Sequence, residues 1–270
     1  MPLTISPAIV LRHVDYGEAD RIVTVLTPDH GRLKGFARGA RRSRKRFGPA
    51  LESFAEIRLH WLPRPGGELV SVREAELVSL RLGLRRDLET LALAGYGCEL
   101  TEALCAEAVG AVEVYGLLRA FLDHLDACGA TSAARLLLEL RLLALAGIVP
   151  HLQHCAECHG ALPDGPVGFA AVRGGSLCPA CGGAAVALKV DRLTLGSLGR
   201  LLQTPMEGFA GIRLSPRTLH DGRALLTDAL RGHLTRPLKS AEFLGKLEGG
   251  VRCEVNPGLG ARGWLLEDVT

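Results

Sequence analysis

DRIVTVLTPDHGRLKGFAR, residues 20–38, decides the fold. Two runs rich in β-branched and apolar residues, DRIVTVLT and GRLKGFAR, flank the turn signal TPDHG, so the stretch reads as two strands joined by a tight connection. Working outward, PAIVLRHV (7–14), FAEIRLHWL (54–62) and ELVSVREAEL (68–77) show the same partial alternation, separated by FGPA (47–50) and PRPGG (63–67). Five short strands in about 75 residues predict a small barrel over residues 1–80. The oligonucleotide-binding barrel is the common five-stranded kind and the expected one; an SH3-like barrel is the alternative this pattern leaves open.

Beyond Leu80 the character changes. From Arg85 to Gly147 the chain is rich in Leu and Ala and free of proline. Leu84, Leu88 and Leu91, then Leu136, Leu137, Leu140 and Leu143, recur at helical spacing and predict three or four bundled helices over residues 81–150. Residues 151–186 are loop-rich and hold four cysteines. Helices resume over 187–247, with Asp191 as a cap and Ser215–Pro216 as a cap followed by proline at the first helical position. Residues 248–270, with GG, NPG and GLG, read as a flexible tail. The expected architecture is multidomain α+β: a five-stranded barrel, then a helical domain interrupted by a cysteine module.

That module is Cys155-x2-Cys158 and Cys178-x2-Cys181, the four-cysteine zinc spacing. Two intervening residues let both thiolates of a pair face one ion, and Gly160, Gly182 and Gly183 supply permissive backbone beside the knuckles. Two disulfides would need an oxidising compartment, for which no export signal is visible. A thioredoxin-type pair would need a single Cys-x-x-Cys beside a βαβ unit. Four thiolates leave no open coordination position, so the expected ion is one structural Zn²⁺. His151, His154 and His159 are near enough in sequence to replace a cysteine, but read as surface residues.

Charge is unevenly spread. Lys and Arg number 32 in 270 residues, yet six of them, Arg38, Arg41, Arg42, Arg44, Lys45 and Arg46, fall in nine positions. Residues 31–60 carry a balance of +7 in a chain of net +3, so the remainder is mildly acidic. A charge run is often only a solvated loop. Against that, acidic residues are absent from Gly31 to Leu51, Gly35, Gly39 and Gly48 let backbone approach phosphates, and Phe36, Phe47 and Phe54 are interleaved as candidate stacking platforms. The segment therefore predicts nucleic-acid binding, mostly through phosphate.

Other signals are weak. GLGARG (258–263) satisfies G-x-G-x-x-G but follows Asn256–Pro257 instead of a strand, and no Walker loop, His-Glu-x-x-His or nucleophile elbow occurs. No enzyme is expected. The amino terminus lacks a basic and apolar leader pattern, and LLLELRLLALAGIV (136–149) is too short and too charged to cross a bilayer, so a cytoplasmic protein without membrane contact is expected.

The order of these motifs resembles a known family. YGEADRIVTVLTPDHG (16–31), ARGARR (37–42), FGPALESF (47–54), YGCEL (96–100), LELRLLALAGIVPHLQHCAEC (138–158) and RPLKSAEFL (236–244) are similar to the bacterial RecO recombination mediators, over nearly the whole chain to about residue 246. The resemblance implies an oligonucleotide-binding barrel and a zinc module at the four cysteines, which some members lack. It implies binding of single- and double-stranded DNA, annealing of complementary strands, and action with RecR to load RecA on strands coated by single-strand-binding protein, hence a nucleoid-associated location. By this resemblance the DNA-binding residues are Arg21, Lys34 and the six from Arg38 to Arg46. The acidic tail of single-strand-binding protein would dock on the helical domain, with Arg119, Arg135 and Arg141 as candidates. An adaptor whose basic loop grips an acidic protein, and an RNA-binding barrel, are the competing readings.

Overall fold

The computed structural model describes residues 2–64, 66, 68–105, 111–183 and 186–250. Five strands, β1 (Thr4–Tyr16), β2 (Asp20–Thr27), β3 (Gly31–Ala37), β4 (Glu56–Leu62) and β5 (Val70–Ser79), close into a barrel of order β1-β2-β3-β5-β4. β1 is long because it serves twice: residues from Thr4 to Ile9 pair with β4, and those from Ile9 to Tyr16 with β2. A register shift between Val10 and Arg12 bends it between the two partners. β3 meets β5 in the barrel's parallel pair, Gly35 opposite Val70 and Ala37 opposite Val72. This order is that of the oligonucleotide-binding barrel and excludes the SH3-like alternative.

Gly35 is essential to the closure. A Cβ there would lie 2.5 Å from Val72 Cγ2, so only glycine admits β5 at this distance. Its role is therefore packing inside the barrel, not access of backbone to phosphate. Alternate residues fill the interior, among them Ala8, Val10, Val23, Val25, Ile57, Leu59, Trp61 and Val72, and the 38–55 connection adds Ala40, Phe47, Ala50 and Leu51. Two of the three interleaved phenylalanines are thus buried, Phe47 here and Phe54 in the neighbouring core.

The helical body comprises α1 (Leu88–Leu104), α2 (Val112–Cys128), α3 (Ser132–Leu145), the single turn α4 (Pro179–Gly182), α5 (Arg192–Leu201), α6 (Pro216–Arg231) and α7 (Lys239–Gly250). Side-chain caps fix where several begin. Asp87 accepts from Thr90 N at 2.6 Å, Asp191 from Leu193 N at 2.8 Å and Ser215 from Thr218 N at 3.1 Å, with Pro216 in the first turn. The Asp87 cap also breaks the expected Leu84–Leu88–Leu91 stripe. Leu84 is buried in a preceding 3₁₀ turn, whereas Leu88 opens α1 and is 53% exposed. Leu136, Leu137, Leu140 and Leu143 are buried as their spacing predicts. Of the tail expected over 248–270, residues 251–270, GLGARG among them, lie outside the described residues, and 248–250 continue α7. No described helix is long and apolar enough to cross a membrane.

Between α3 and α5 a small antiparallel sheet of β6 (Pro166–Ala170), β7 (Gly175–Leu177) and β8 (Leu188–Asp191), in order β7-β6-β8, carries the cysteines. It has no core of its own. One continuous cluster runs from Ile9, Leu11 and Leu26 on the outer wall of the barrel, through α1 to α3, to Cys155, Phe169 and Leu177 of this sheet and Leu225 and Leu226 of α6.

Charged side chains join barrel to helices. Arg81, 2% exposed and in the left-handed region at φ 48°, donates to Glu56 Oε2 at 2.7 Å, Asp123 Oδ1 at 2.6 Å and the Phe54 carbonyl at 2.9 Å. Nearby, Arg12 grips Glu102 through two bonds of 2.8 and 3.0 Å. Burial pushes the Glu102 carboxyl up, but the hydrogen bond and charge of Arg12, with Arg32 and Arg236, outweigh it and hold the group below its ordinary value. Truncating Arg81 removes the shortest partner of Glu56, leaving it only the longer contacts of Arg119 and Tyr115, and takes the charge-assisted bond from Asp123. Arg81→Ala is therefore expected to lower the unfolding free energy in urea by about 3 kcal/mol, far more than the loss of an exposed ion pair.

Candidate nucleic-acid interface and metal centre

The basic segment is a structured loop. Gly39 and Gly48 take left-handed conformations, at φ 69° and 47°, to turn the chain. Backbone bonds then tie it to the barrel: Arg41 N to the Ala19 carbonyl, Ala75 N to the Arg46 carbonyl, and Gly39 N to the Asp20 carboxylate. With Phe47 and Leu51 buried, the side chains of Arg38, Arg41, Arg42, Arg44, Lys45 and Arg46 are turned outward and exposed.

Their electrostatic environments differ. Arg21 on β2 lies between Asp15 at 2.9 Å and Glu52 at 3.0 Å, its side chain only 19% exposed. Arg41 reaches Asp15 at 3.4 Å and the carbonyls of Gly17 and Glu18, and Arg42 reaches Glu18 at 3.3 Å. The field is thus trimmed by carboxylates outside the 31–51 window, Asp15 and Glu18 brought across from the β1–β2 hairpin and Glu52 at the far end of the loop. Exposed pairs such as Arg42–Glu18 are worth about 0–1 kcal/mol, so Arg42 can exchange its partner for a phosphate at small cost. Arg21 is held by two carboxylates and mainly secures the hairpin. Arg46 is anchored on its own loop, by Ser43 Oγ and the Arg38 carbonyl, with its guanidinium 4.9 Å from the Phe47 ring centre. Arg38, Arg44 and Lys45 form no ion pair with a described carboxylate. Lys34 is half-buried on the outer face of β3.

Sequence reasoning named Phe36 but missed Tyr16 beside it. Phe36 also points out of the barrel, beside Tyr16, which is 57% exposed at the end of β1; their ring centres lie 5.9 Å apart, edge to face. Arg64, from the β4–β5 loop, lies over Phe36 at 5.7 Å. The signal was present in the alternation of Arg12, Val14 and Tyr16, which places all three on the outer face.

A second cluster has a different chemistry. The four sulfurs of Cys155, Cys158, Cys178 and Cys181 all lie within 4.8 Å of one another, Cys158 and Cys178 at 3.7 Å. Thiolates around a tetrahedral ion at about 2.3 Å stand about 3.8 Å apart, so the set fits a metal and is too wide for disulfides. Burial pushes the Cys155 thiol up, yet backbone hydrogen bonds from Cys158, Cys178 and Glu157 hold it at about 6. Cys181 is pushed up to about 12 by the neighbouring thiols of Cys178, Cys158 and Cys155. Four thiols this close cannot all ionise without a cation among them. His151, His154 and His159 stay exposed and outside the cluster. Gly183 takes a left-handed position as expected (φ 56°), but in the first knuckle His159 (φ 57°) does so, whereas Gly160 leaves room for the Cys158 sulfur, 3.3 Å from where its Cβ would be.

Of three arginines considered for an acidic peptide, Arg119 pairs with Glu56, and Arg141 is buried against the Thr204 hydroxyl and the carbonyls of Met206 and Gly208. Only Arg135 reaches a groove. This depression of about 580 Å³ is lined by Tyr96, Leu230, Arg231, Leu234, Arg236 and their neighbours.

The chain matches two family models, Recombination protein O N terminal over residues 1–81 and Recombination protein O C terminal over residues 85–242. It is 49% identical over 248 residues to the DNA repair protein RecO of Syntrophotalea carbinolica, covering 92% of this chain and 96% of that one. It is 39% identical to the protein of the same name in Geobacter metallireducens (92% and 99% covered), and 40% identical to that of Anaeromyxobacter sp. strain K (94% and 97%).

Because Cys155 belongs both to the four-sulfur cluster that could hold a metal and to the large core, Cys155→Ser is expected to abolish metal content by elemental analysis and to lower the thermal midpoint by several degrees.

Proposed function

Since the chain belongs to the RecO family of DNA repair proteins, we propose that it serves repair and recombination by binding single- and double-stranded DNA through the 38–46 loop, with Arg21 and Lys34 beside it. In this reading the protein anneals complementary strands and, with RecR, helps load RecA on DNA coated by single-strand-binding protein. It acts by binding alone, without catalytic chemistry, in the cytoplasm at the nucleoid. The observation that carries the proposal is the outward row of cations on a loop whose apolar side is locked into the barrel, with Arg38, Arg44 and Lys45 unpaired by any carboxylate among the described residues. A preformed cationic edge binds phosphate with little ordering cost.

The four-thiolate centre holds one zinc ion. Soft thiolates in a near-tetrahedral set suit zinc, and a full shell of sulfur gives it a structural role. When bound, the ion supplies charge neutralisation and a cross-link; the chain's own residues do the rest. Arg173 ties the two knuckles together, at 2.7 Å from Glu157 and bonded to the Cys181 carbonyl. The groove beside Arg135, Arg231 and Arg236 receives the acidic tail of single-strand-binding protein, its leucine-lined floor taking apolar side chains and Arg231 and Arg236 the carboxylates, while Arg135 is held by Glu139 at 2.9 Å.

Two measurements check these assignments. Replacing Arg41, Arg42, Arg44 and Lys45 with Ala is expected to cut single-strand affinity steeply, flatten the slope of log affinity against log salt by about 2 to 3, and abolish annealing of coated strands. An unchanged affinity in the folded variant would favour the adaptor reading. Arg231→Glu is expected to weaken binding of a labelled acidic tail peptide at least tenfold while leaving oligonucleotide affinity intact.

A further inference from the structure

We propose that Tyr16, Phe36 and Arg64 form a nucleobase-stacking subsite that makes this barrel prefer unpaired strands to duplex. The inference rests on the DNA-binding reading above and goes beyond it in assigning selectivity to residues outside the basic loop.

Three chain segments converge here. Tyr16 ends β1, Phe36 stands on the outer face of β3, and Arg64 arrives from the β4–β5 loop. The aromatic pair meets edge to face at 5.9 Å, leaving a face of the 57%-exposed tyrosine open to solvent. Arg64, itself exposed, spreads its guanidinium toward the Phe36 ring. A large aromatic kept outward, in a chain with only 4% aromatic residues, is not needed for the core. Val14, 51% exposed, extends the same apolar surface along the strand.

The subsite is continuous with the phosphate-binding loop. Arg41 bonds the carbonyls of Gly17 and Glu18, the residues following Tyr16, and Arg42 pairs with Glu18. Of the hairpin's three carboxylates, Asp15 and Glu18 are engaged by Arg21, Arg41 and Arg42, and Asp20 accepts from Gly39 N, which moderates their repulsion of a nucleic acid. A strand whose backbone follows the loop therefore brings bases over the rings. Every base has a π-face, so such stacking tolerates sequence. Bases within a duplex have both faces already covered, so a duplex is held by its phosphates alone.

The test compares Tyr16→Ala, Tyr16→Trp and wild type on three probes of equal length: an oligothymidylate strand, a duplex, and a single strand of abasic sites. Wild type is expected to bind oligothymidylate about tenfold more tightly than the abasic strand. Tyr16→Ala is expected to lose that tenfold on oligothymidylate and to keep its duplex and abasic affinities and its salt slope. Tyr16→Trp should restore the preference, with indole fluorescence quenched by oligothymidylate and not by the abasic strand. If Tyr16→Ala changes no affinity, or lowers all three equally while its thermal melt is unchanged, the stacking assignment is overturned and the phosphate reading survives. If wild type binds none of the probes at low salt, the DNA-binding reading fails, and this one with it.

Discussion

Arg81 is the point on which barrel, loop and helices all depend. Its guanidinium joins β4 through Glu56, α2 through Asp123 and the root of the basic loop through the Phe54 carbonyl. Glu56 is in turn approached by Arg119 and by the Tyr115 hydroxyl at 3.4 Å. Phe54 N and Ala55 O bond β1 at Val10, so the end of the loop is fixed on both sides. A buried charge cluster adds little net stability once desolvation is counted, but its directional bonds admit few arrangements. Its contribution is registry: it sets where the loop leaves the barrel and how the barrel seats on the helices.

From that root the loop is built as alternating anchors and charges. Ala40, Phe47, Ala50 and Leu51 enter the barrel core, while the intervening arginines and Lys45 remain in solvent. Arginine side chains are flexible, but here the backbone carrying them is not. The cysteine module follows the same logic, since its sheet has no separate core and depends on both the sulfur cluster and the helices for burial.

Much of this was legible in the sequence, for identifiable reasons. Alternation over 7–14 and 20–38 gave the strands because one face of each must be buried, and Asp191 and Ser215 marked helix starts because caps are local. The cysteine pairs were legible because metal geometry constrains spacing. What escaped was long-range. Arg21 and Asp15 face each other within the β1–β2 hairpin, but nothing near Arg41 or Arg42 reveals Asp15 and Glu18 as their partners, nor Glu52 as the second partner of Arg21, because the hairpin and the loop meet only after the barrel closes. Gly35 looked like part of a permissive loop, and only the parallel β3–β5 pairing explains why it cannot carry a side chain. Leu88 fitted a helical stripe that Asp87 interrupts.

β1 has one consequence of a mechanical kind. From Ala8 to Leu11 it is buried on both faces, Ala8 and Val10 within the barrel and Ile9 and Leu11 against the helical body. At about 1.5–3 kcal/mol for each large side chain, sliding the barrel across the helices would tear the second core while leaving the first strained. The strand therefore acts as a shared beam instead of a hinge. The loop face and the arginine-lined groove keep a fixed separation and orientation, so whatever they hold is carried as on one rigid frame.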